Sequence, residues 1–288
     1  MDKVIGFGRL GCAIADELIV YPEYRVYKIG TDLDERGSLS IPAQDDMEAY
    51  EKNIDAEECS IYLRSIRPGD EVLVVVEGGH PINGALLRIL ETIKDASINI
   101  LYVAPERPMI SEIQKRDDRI TFGILQEFAR SGLFETVLLL DRSTAEGLME
   151  DASIQDYEKQ LANFISYVVA MINYFNHSPS VLSSKVDIPS TCRIATYGIS
   201  SLDNDRSLKF LYPLEAIDGI HFYYGIPSTQ LEEDKTLIRK IKDHVKDFQE
   251  SASSVSYSVH ATSYNDLMIL CVLFSSSVQT LEDASKSL

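Results

Sequence analysis

The stretch from Glu71 to Ile93 constrains the fold most, because it changes from a buried strand to a helix across one glycine-rich turn. Val72–Val76 is a continuous aliphatic run, which is typical of a central parallel strand covered on both faces. After Gly84 the apolar residues return at helical spacing. Such a turn directs backbone N–H groups and a helix N-terminus to one point, where a phosphate can bind. An ordinary tight connection between strand and helix is the alternative interpretation.

A second turn of this kind stands at the start of the chain, where a short strand from Lys3 runs into a G-x-G-x-x-G pattern that opens a helix. Its glycines are Gly6, Gly8 and Gly11. The next predicted strand, Tyr24–Gly30, ends at Thr31 and Asp32. An acidic residue about 20 positions after the glycines suits the ribose of a dinucleotide. An NAD-dependent Rossmann enzyme is therefore one interpretation.

Composition and charge exclude several classes of protein. The chain has 288 residues, 45% hydrophobic and 25% charged, which predicts a globular protein with one large or two modest cores. It has no apolar run of the ~20 residues that span a bilayer, and its start has no signal-peptide pattern, so we expect no membrane insertion and a cytoplasmic location. A net charge of −18 argues against binding nucleic acid or anionic lipid through a broad surface. A nucleotide needs only a local cluster of donors.

The cysteines predict neither a metal site nor a disulfide framework, because they are far apart and have no CxxC spacing. They are Cys12, Cys59, Cys192 and Cys271. We expect them to be reduced and mostly buried.

Strands and helices alternate through the first half of the chain, which predicts a doubly wound parallel sheet. Ile98–Val103 and Thr136–Leu140 are two further buried strands. Ile110–Leu133 is predicted to be a helix. One face of that helix carries Ile120, Ile124, Leu125 and Phe128. Ligands of such sheets bind at the carboxyl ends of the strands, where the glycine-rich turns lie.

A long helix then joins a smaller α/β domain. Apolar residues recur at helical spacing from Asp156 to Asn176. Four strands and a helix, Leu231–Phe248, follow. The predicted strands are Cys192–Tyr197, Ile217–Tyr224, Val255–Ala261 and Leu267–Phe274. The predicted organisation is a nucleotide-binding domain at 1–155, a core helix at 156–176, a C-terminal domain at 177–275 and a flexible tail at 276–288.

This order of parts, with several motifs, resembles the tubulin/FtsZ superfamily over nearly the whole chain. The segment from Gly6 to Leu18 is similar to the first phosphate loop of the archaeal, plasmid and phage members, with Arg9 where a glutamine is frequent. Thr31 and Asp32 resemble the Asn-Thr-Asp loop, with Gly30 in place of the asparagine.

The resemblance also implies roles for residues farther along the chain. Arg107–Arg116 is similar to the FtsZ segment R-P-F-x-x-E-G-x-x-R, so Glu112 would contact the ribose and Arg116 the nucleotide. An i, i+4 salt bridge between these two residues is the alternative. The long helix matches the core helix that contacts guanine, with Asn163 as the base contact and Tyr157 as a stacking residue.

Together these similarities imply a guanine nucleotide, GTP or GDP, with or without Mg²⁺. The nucleotide-binding residues would be Gly6, Gly8, Arg9, Gly11, Cys12, Thr31, Asp32, Gly78, Gly79, His80, Asn83, Gly84, Glu112, Arg116 and Asn163.

The segment Lys185–Ser190 resembles the N-x-D-x-x-D catalytic loop that reaches the nucleotide of the next subunit in a filament. Asp187 matches the first aspartate and is the catalytic candidate. Lys185 and Ser190 replace the asparagine and the second aspartate. With one carboxylate of two, slow or absent hydrolysis is expected.

The main departure from the family falls on the signature G-G-G-T-G-[ST]-G, which is Gly78–Gly84 here, with only its ends kept. Pro81 has no N–H for a phosphate oxygen, and Ile82 is bulky where the backbone should approach closely. His80 can donate to a phosphate in compensation, or be an ordinary loop histidine.

Three functions are compatible with the sequence. The first is a divergent tubulin/FtsZ-like cytoskeletal protein that binds GTP, assembles head to tail through a heterologous contact into filaments and hydrolyses GTP slowly between subunits. The second is a degenerate structural or interaction protein of the same fold without turnover. The third is the NAD-dependent enzyme, for which His221, His244 and His260 lack a catalytic motif.

Overall fold

The computed structural model describes residues 1–149, 151–184, 188–202 and 208–281. Lys185 and Asp187 lie outside the described residues. The chain divides into two compact units. Unit 1 comprises Met1–Tyr167 and the segment that begins at Thr280, and unit 2 comprises Val168–Gln279. Both are α/β, as predicted.

Unit 1 contains a parallel sheet in the order β3-β2-β1-β4-β5-β6. Its strands are β1 Lys3–Phe7, β2 Arg25–Gly30, β3 Leu39–Ser40, β4 Glu71–Glu77, β5 Ser97–Ala104 and β6 Thr136–Asp141. The aliphatic runs of β4 and β5 are buried because helices cover both faces of the sheet. The predicted doubly wound sheet is confirmed.

The helices of unit 1 follow the strands in the predicted alternation. They are α1 Gly8–Leu18, α2 Met47–Asn53, α3 Ala56–Leu63, α4 Leu86–Glu91, α5 Glu112–Arg130 and α6 Arg142–Glu146, with 3₁₀ helices at Pro81–Ala85 and Arg107–Met109. α5 is shorter than predicted, because a capping box of Ser111 and Gln114 fixes its start and the helix ends at Arg130, before Gly132 with φ of 84°. Of its predicted apolar face, Leu125 is buried, whereas Ile120 and Phe128 are only partly covered.

The predicted long helix is confirmed as α7, Tyr157–His177, which runs from unit 1 into unit 2. Its apolar residues are buried at helical spacing, from Leu161 to Phe175. The His177 ring contacts the Asn173 carbonyl at 2.8 Å in the last turn.

Unit 2 contains a mixed sheet in the order β8-β12-β10-β11-β7, with β9 paired to β8. Its strands are β7 Leu182–Ser184, β8 Ile194–Ser200, β9 Leu208–Phe210, β10 Gly219–Pro227, β11 Ser254–Thr262 and β12 Met268–Ser275. The four predicted strands are confirmed as β8, β10, β11 and β12. The helix predicted at Leu231–Phe248 is wrong as one element.

Two helices occupy that region, α8 Ser228–Glu233 and α9 Leu237–Asp247. The break occurs because Asp234 has non-helical dihedral angles and its carboxylate accepts a hydrogen bond from the Thr236 N–H at 2.9 Å. The apolar face of α9 packs with the sheet residues of unit 2, including Phe222. His244 on α9 is fully buried between polar groups of its own unit, consistent with a core residue.

Candidate nucleotide site

The turns that follow β1 and β4 lie side by side, because these strands are neighbours and the strand order reverses between them. Both turns leave the same carboxyl edge of the sheet. A Cβ on Gly8 would lie 3.6 Å from the Ile82 side chain, which places the two turns next to each other. The two glycine-rich segments predicted from the sequence therefore form one local site.

The glycines after β1 allow strand and helix to approach closely. A Cβ on Gly6 would lie 2.4 Å from the Gly11 carbonyl oxygen, and one on Gly11 would lie 2.5 Å from the Val75 carbonyl oxygen. Gly8 has φ of 74°, where a side chain is disfavoured. Arg9 is exposed at the first turn of α1. This turn therefore combines close backbone packing with the start of an eleven-residue helix.

Cys12 faces the core rather than the turn. Its thiol is buried and donates to the Gly6 carbonyl at 3.4 Å. Burial raises the pKa of Cys12 to about 12, so the thiol stays protonated. All four cysteines are buried, as expected.

The ends of the Gly78–Gly84 turn are glycines because other groups pack against them. A Cβ on Gly78 would lie 2.1 Å from the Tyr102 hydroxyl and 2.3 Å from the Asp118 carboxylate. A Cβ on Gly84 would lie 1.9 Å from the Met47 carbonyl oxygen, at the start of α2. Packing explains both of these glycines without a ligand.

The centre of the turn differs from an open phosphate cradle. Gly79 has φ of 75°, and a 3₁₀ helix begins at Pro81. Ile82 is buried, and the buried Asn83 side chain donates to the Glu77 carbonyl at 2.8 Å. The Asn83 side chain therefore closes the turn on itself.

A network of charges at the mouth of this turn is centred on Glu77, the last residue of β4. One oxygen of its carboxylate accepts from Arg142 at 3.0 Å, and the other contacts the His80 imidazole at 3.1 Å. Arg142 begins α6 and also contacts Glu158 at 2.7 Å and Glu146 at 3.2 Å. The side chains of Glu77 and Arg142 are 10% and 16% exposed, so this ion pair is largely desolvated.

His80 is the titratable group of this network. Its hydrogen bond to Glu77 raises the pKa of His80 above the ordinary value of 6.5. Burial and the positive charges of Arg142 and Arg9 oppose the increase. The site therefore brings Arg9, His80 and Arg142 into electrostatic range of one another, with Glu77 as their internal counter-charge.

A cavity of about 430 Å³ opens at the carboxyl ends of β4, β5 and β6. It is lined by Glu77, Gly78, His80, Pro105, Glu106, Met109, Ile110, Gln114, Arg142 and Tyr157. Arg142 also stacks over the Tyr157 ring, at 5.5 Å from the ring centre. The cavity thus combines a flat aromatic surface with Arg142, His80 and the carboxylates of Glu77 and Glu106.

The predicted pair on α5 lies on the exposed side of that helix. Glu112 pairs with Lys115 at 2.8 Å, and Arg116 pairs with Asp117 at 3.1 Å. The alternative i, i+4 salt bridge between Glu112 and Arg116 is not formed. Neither residue lines the cavity, whereas Gln114 does.

Two further predicted contacts are exposed. Asp32 has φ of 55° and follows Thr31 at the carboxyl end of β2. Asn163 lies on the surface of α7, six residues and about 240° around the helix from Tyr157. The structure therefore brings Tyr157 to the cavity and leaves Asn163 on a different face.

Glu77 and Arg142 are two charged residues of the cavity that the sequence did not predict. Each stands where a buried aliphatic strand, β4 or β6, meets the next turn. That position is a signal, because the carboxyl ends of parallel strands share one edge of the sheet.

Comparison with solved structures identifies the fold. CetZ2 from Haloferax volcanii, solved as a GTPγS-bound protofilament, is 14% identical with a TM-score of 0.71, over 95% of this chain and 92% of that one. An empty FtsZ dimer from M. jannaschii is 14% identical with a TM-score of 0.70, over 95% and 87%. TubZ from Bacillus thuringiensis serovar israelensis, a GTPγS-form protofilament, is 11% identical with a TM-score of 0.69, over 95% and 86%. No family model and no curated protein matches the sequence.

The chain therefore has the tubulin/FtsZ fold, and the resemblance is confirmed at that level. The NAD-dependent Rossmann enzyme is not favoured, because the similarity extends over about 95% of the chain and so includes α7 and unit 2. Within the described residues, no helix is long and apolar enough to cross a membrane. In the same part of the chain, no group of three or more His, Cys, Asp or Glu residues could hold a metal ion.

Proposed function

We propose that this protein is a divergent tubulin/FtsZ-type cytoskeletal protein that binds a guanine nucleotide at the carboxyl edge of the unit 1 sheet and assembles head to tail. The observation that carries the proposal is the convergence of two glycine-rich turns with Arg9, His80 and Arg142 at one edge. Phosphate oxygens would accept hydrogen bonds from these side chains and from the N–H groups of the β1–α1 turn. The TubZ and CetZ2 structures were solved with GTPγS, which supports the class of ligand.

The cavity suggests how the remainder of the nucleotide is held. Tyr157 offers an aromatic face already stacked with Arg142, and Gln114, whose Oε1 accepts from Ser111 in the capping box, offers its amide N–H groups as donors. An uncharged, planar base fits such a surface better than a second charged group does. We therefore place the base or ribose near Tyr157 and the phosphates near the two turns.

Assembly is proposed from the protofilament states of the TubZ and CetZ2 structures. A heterologous contact that does not close produces an open filament. The hydrolytic step would depend on Asp187 of the neighbouring subunit, as the sequence motif implies. With Ser190 in place of the second carboxylate, turnover is expected to be slow.

A second function, a filament or interaction protein without nucleotide, is favoured by one specific observation. Glu77 already pairs with both His80 and Arg142, so these cations have a counter-charge before any phosphate arrives. Glu106 adds another carboxylate to the cavity lining. A like charge close to a phosphate weakens its binding.

Calorimetric titration with GTP, GDP, ATP and NAD distinguishes these functions. We expect binding of GTP and GDP with little or no binding of NAD, and pelleting of the protein in high-speed sedimentation with GTP. Binding of NAD without GTP at millimolar concentration would refute the proposed site. Pelleting that is the same with and without nucleotide, together with no heat of binding, would support the second function.

A further inference from the structure

A groove between helices of unit 1 shares no lining residue with the cavity at the strand ends. It is formed mainly by α2, α4 and α5 and encloses about 630 Å³. Along α5 its wall is a stripe of Ile120, Ile124 and Phe128, each one helical turn after the last. Leu133 continues the stripe. Ile120 and Leu133 remain 42% and 53% exposed, so the apolar wall is accessible from solvent.

A second, polar cavity of about 690 Å³ lies beside the groove. Glu48, Glu51 and Arg88 line both, so the two are adjacent. The surrounding segment from Asp45 to Glu58 carries seven acidic residues and one lysine. The charged lining of this cavity is mixed, Glu48 and Glu51 with Lys52 and Arg88, whereas the segment around it is strongly acidic.

The fold itself uses only part of this acidic surface. The carboxylates of Asp46 and Asp55 cap α2 and α3. Glu48 pairs with Lys52 in an exposed i, i+4 contact, which contributes little to stability. Glu51 is exposed at the junction of the two cavities.

We propose that this groove binds an amphipathic helix of a partner protein, with apolar residues on one face and lysine or arginine residues at one end. The stripe from Ile120 to Phe128 extends about 12 Å along α5, the length of two helical turns. Apolar anchors at i, i+3 or i+4 and i+7 of a bound helix match this length. The basic end would lie against Glu48, Glu51 and the other carboxylates of residues 45–58, which outnumber Lys52 and Arg88.

A second copy of this chain is a poorer occupant, although α9 is basic. Arg239, Lys240, Lys242 and Lys246 give that helix a positive surface. Its apolar residues Leu237, Ile241 and Val245 are buried within unit 2. Ile238 is the exposed apolar residue of α9, so this helix offers charge without an apolar stripe.

The test uses the full chain and a fluorescently labelled synthetic peptide of about five helical turns, with leucines at i, i+3 and i+7 and lysines at one end. A second peptide has glutamates in place of the lysines, and a third has the leucines scrambled. Anisotropy at about 0.15 M salt should show binding of the lysine peptide alone. Higher salt should weaken the binding, because the basic end contributes through charge.

Variants test both halves of the groove. Ile120→Asp should weaken binding of the lysine peptide by tenfold or more, because it places a charge in the apolar stripe. Ile113→Asp is the matched control, since Ile113 is on the same helix, is 65% exposed and does not line the groove. Glu48→Lys with Glu51→Lys should weaken binding by about tenfold and remove its salt dependence.

A double substitution on unit 2 that changes the net charge by the same amount tests whether the loss of binding depends on charges at the groove or only on the net charge of the protein. Glu232→Lys with Glu233→Lys, on the exposed surface of α8, should leave binding of the lysine peptide nearly unchanged. Circular dichroism establishes that each variant is folded. Equal binding of the lysine and glutamate peptides, or an equal loss in Ile113→Asp, would overturn the proposal. So would sedimentation equilibrium that shows a dimer lost specifically in Ile120→Asp, because a second copy would then occupy the groove.

Discussion

Replacing Glu77 with glutamine tests directly whether the charge network competes with phosphate. Glutamine keeps the shape of the side chain and its capacity for hydrogen bonds but removes the negative charge. In the native protein that charge lies 3.0 Å from Arg142 and 3.1 Å from His80. In the variant, Arg142 would be available to a phosphate oxygen, whereas His80 would lose the group that raises its pKa and would donate as a neutral imidazole.

The expected gain in affinity follows from the geometry. A phosphate that contacts His80 and Arg142 would stand about 5 Å from the Glu77 carboxylate, and two unit charges at that distance interact by about 3 kcal/mol at an effective dielectric constant of about 20. Arg142 keeps Glu146 and Glu158 as partners, so the substitution relieves only part of the opposition. We expect GDP and GTP to bind about tenfold more tightly, which corresponds to about 1.4 kcal/mol.

The same substitution should reduce stability, because it leaves a desolvated arginine with fewer counter-charges. We expect the free energy of unfolding to fall by about 1–2 kcal/mol, measured by urea denaturation. Calorimetry should compare the wild type, Glu77→Gln and Glu106→Gln, a control that removes a carboxylate from the same cavity outside the network. An affinity for GDP in Glu77→Gln that does not exceed that of both other proteins would refute the competition. Greater stability of the variant would refute the role of Glu77 in holding Arg142.

β4, β5 and β6 were predictable because each is a buried parallel strand with a largely aliphatic sequence. β4, β5 and β6 lie within a residue of their predicted bounds at each end. β3 and β7 have two and three residues, and so short a segment carries no periodicity. Their pairing depends on neighbours that are distant in sequence.

The site was less predictable because motif spacing does not fix which face of a helix meets a cavity. The i, i+4 spacing of Glu112 and Arg116 correctly places them one turn apart. The cap at Ser111 fixes where α5 begins, and in that register Gln114 lines the cavity instead.

The charge network was invisible in the sequence for a different reason. Glu77 and Arg142 are 65 residues apart, and neither belongs to a periodic pattern or a motif. Only the sheet order, with β4 and β6 on either side of β5, brings them to one edge. The substitutions Pro81 and Ile82 were visible in the sequence, whereas the Glu77 carboxylate, which would act on a bound phosphate through its charge, was not.

Three further predictions concern pH, packing and assembly. Nucleotide affinity should fall as pH rises from about 6 to 8, because a phosphate binds protonated His80 more tightly than the neutral form. Glu77 raises the pKa of His80 above 6.5, so the fall should extend above that pH. Calorimetric titration of the His80→Gln variant with nucleotide should show a weaker dependence on pH. The His80–Glu77 pair should also stabilise the folded state. This stabilisation is fully present below about pH 6.5 and is lost as pH rises through the raised pKa of His80. Gly78→Ala should lower the free energy of unfolding by about 2–3 kcal/mol, because its Cβ would strike the buried hydroxyl and carboxylate beneath it. Gly123→Ala in α5, with nothing within 4 Å, should instead raise it by up to about 1 kcal/mol, and equal urea midpoints for the two variants would contradict this assignment. Finally, if Asp187 completes the site of the next subunit, phosphate release should rise faster than linearly with protein concentration, because the catalytic arrangement exists only between subunits. Asp187→Ala should abolish release while GTP affinity stays unchanged, whereas strictly linear turnover across a dilution series would place the hydrolytic groups within one subunit.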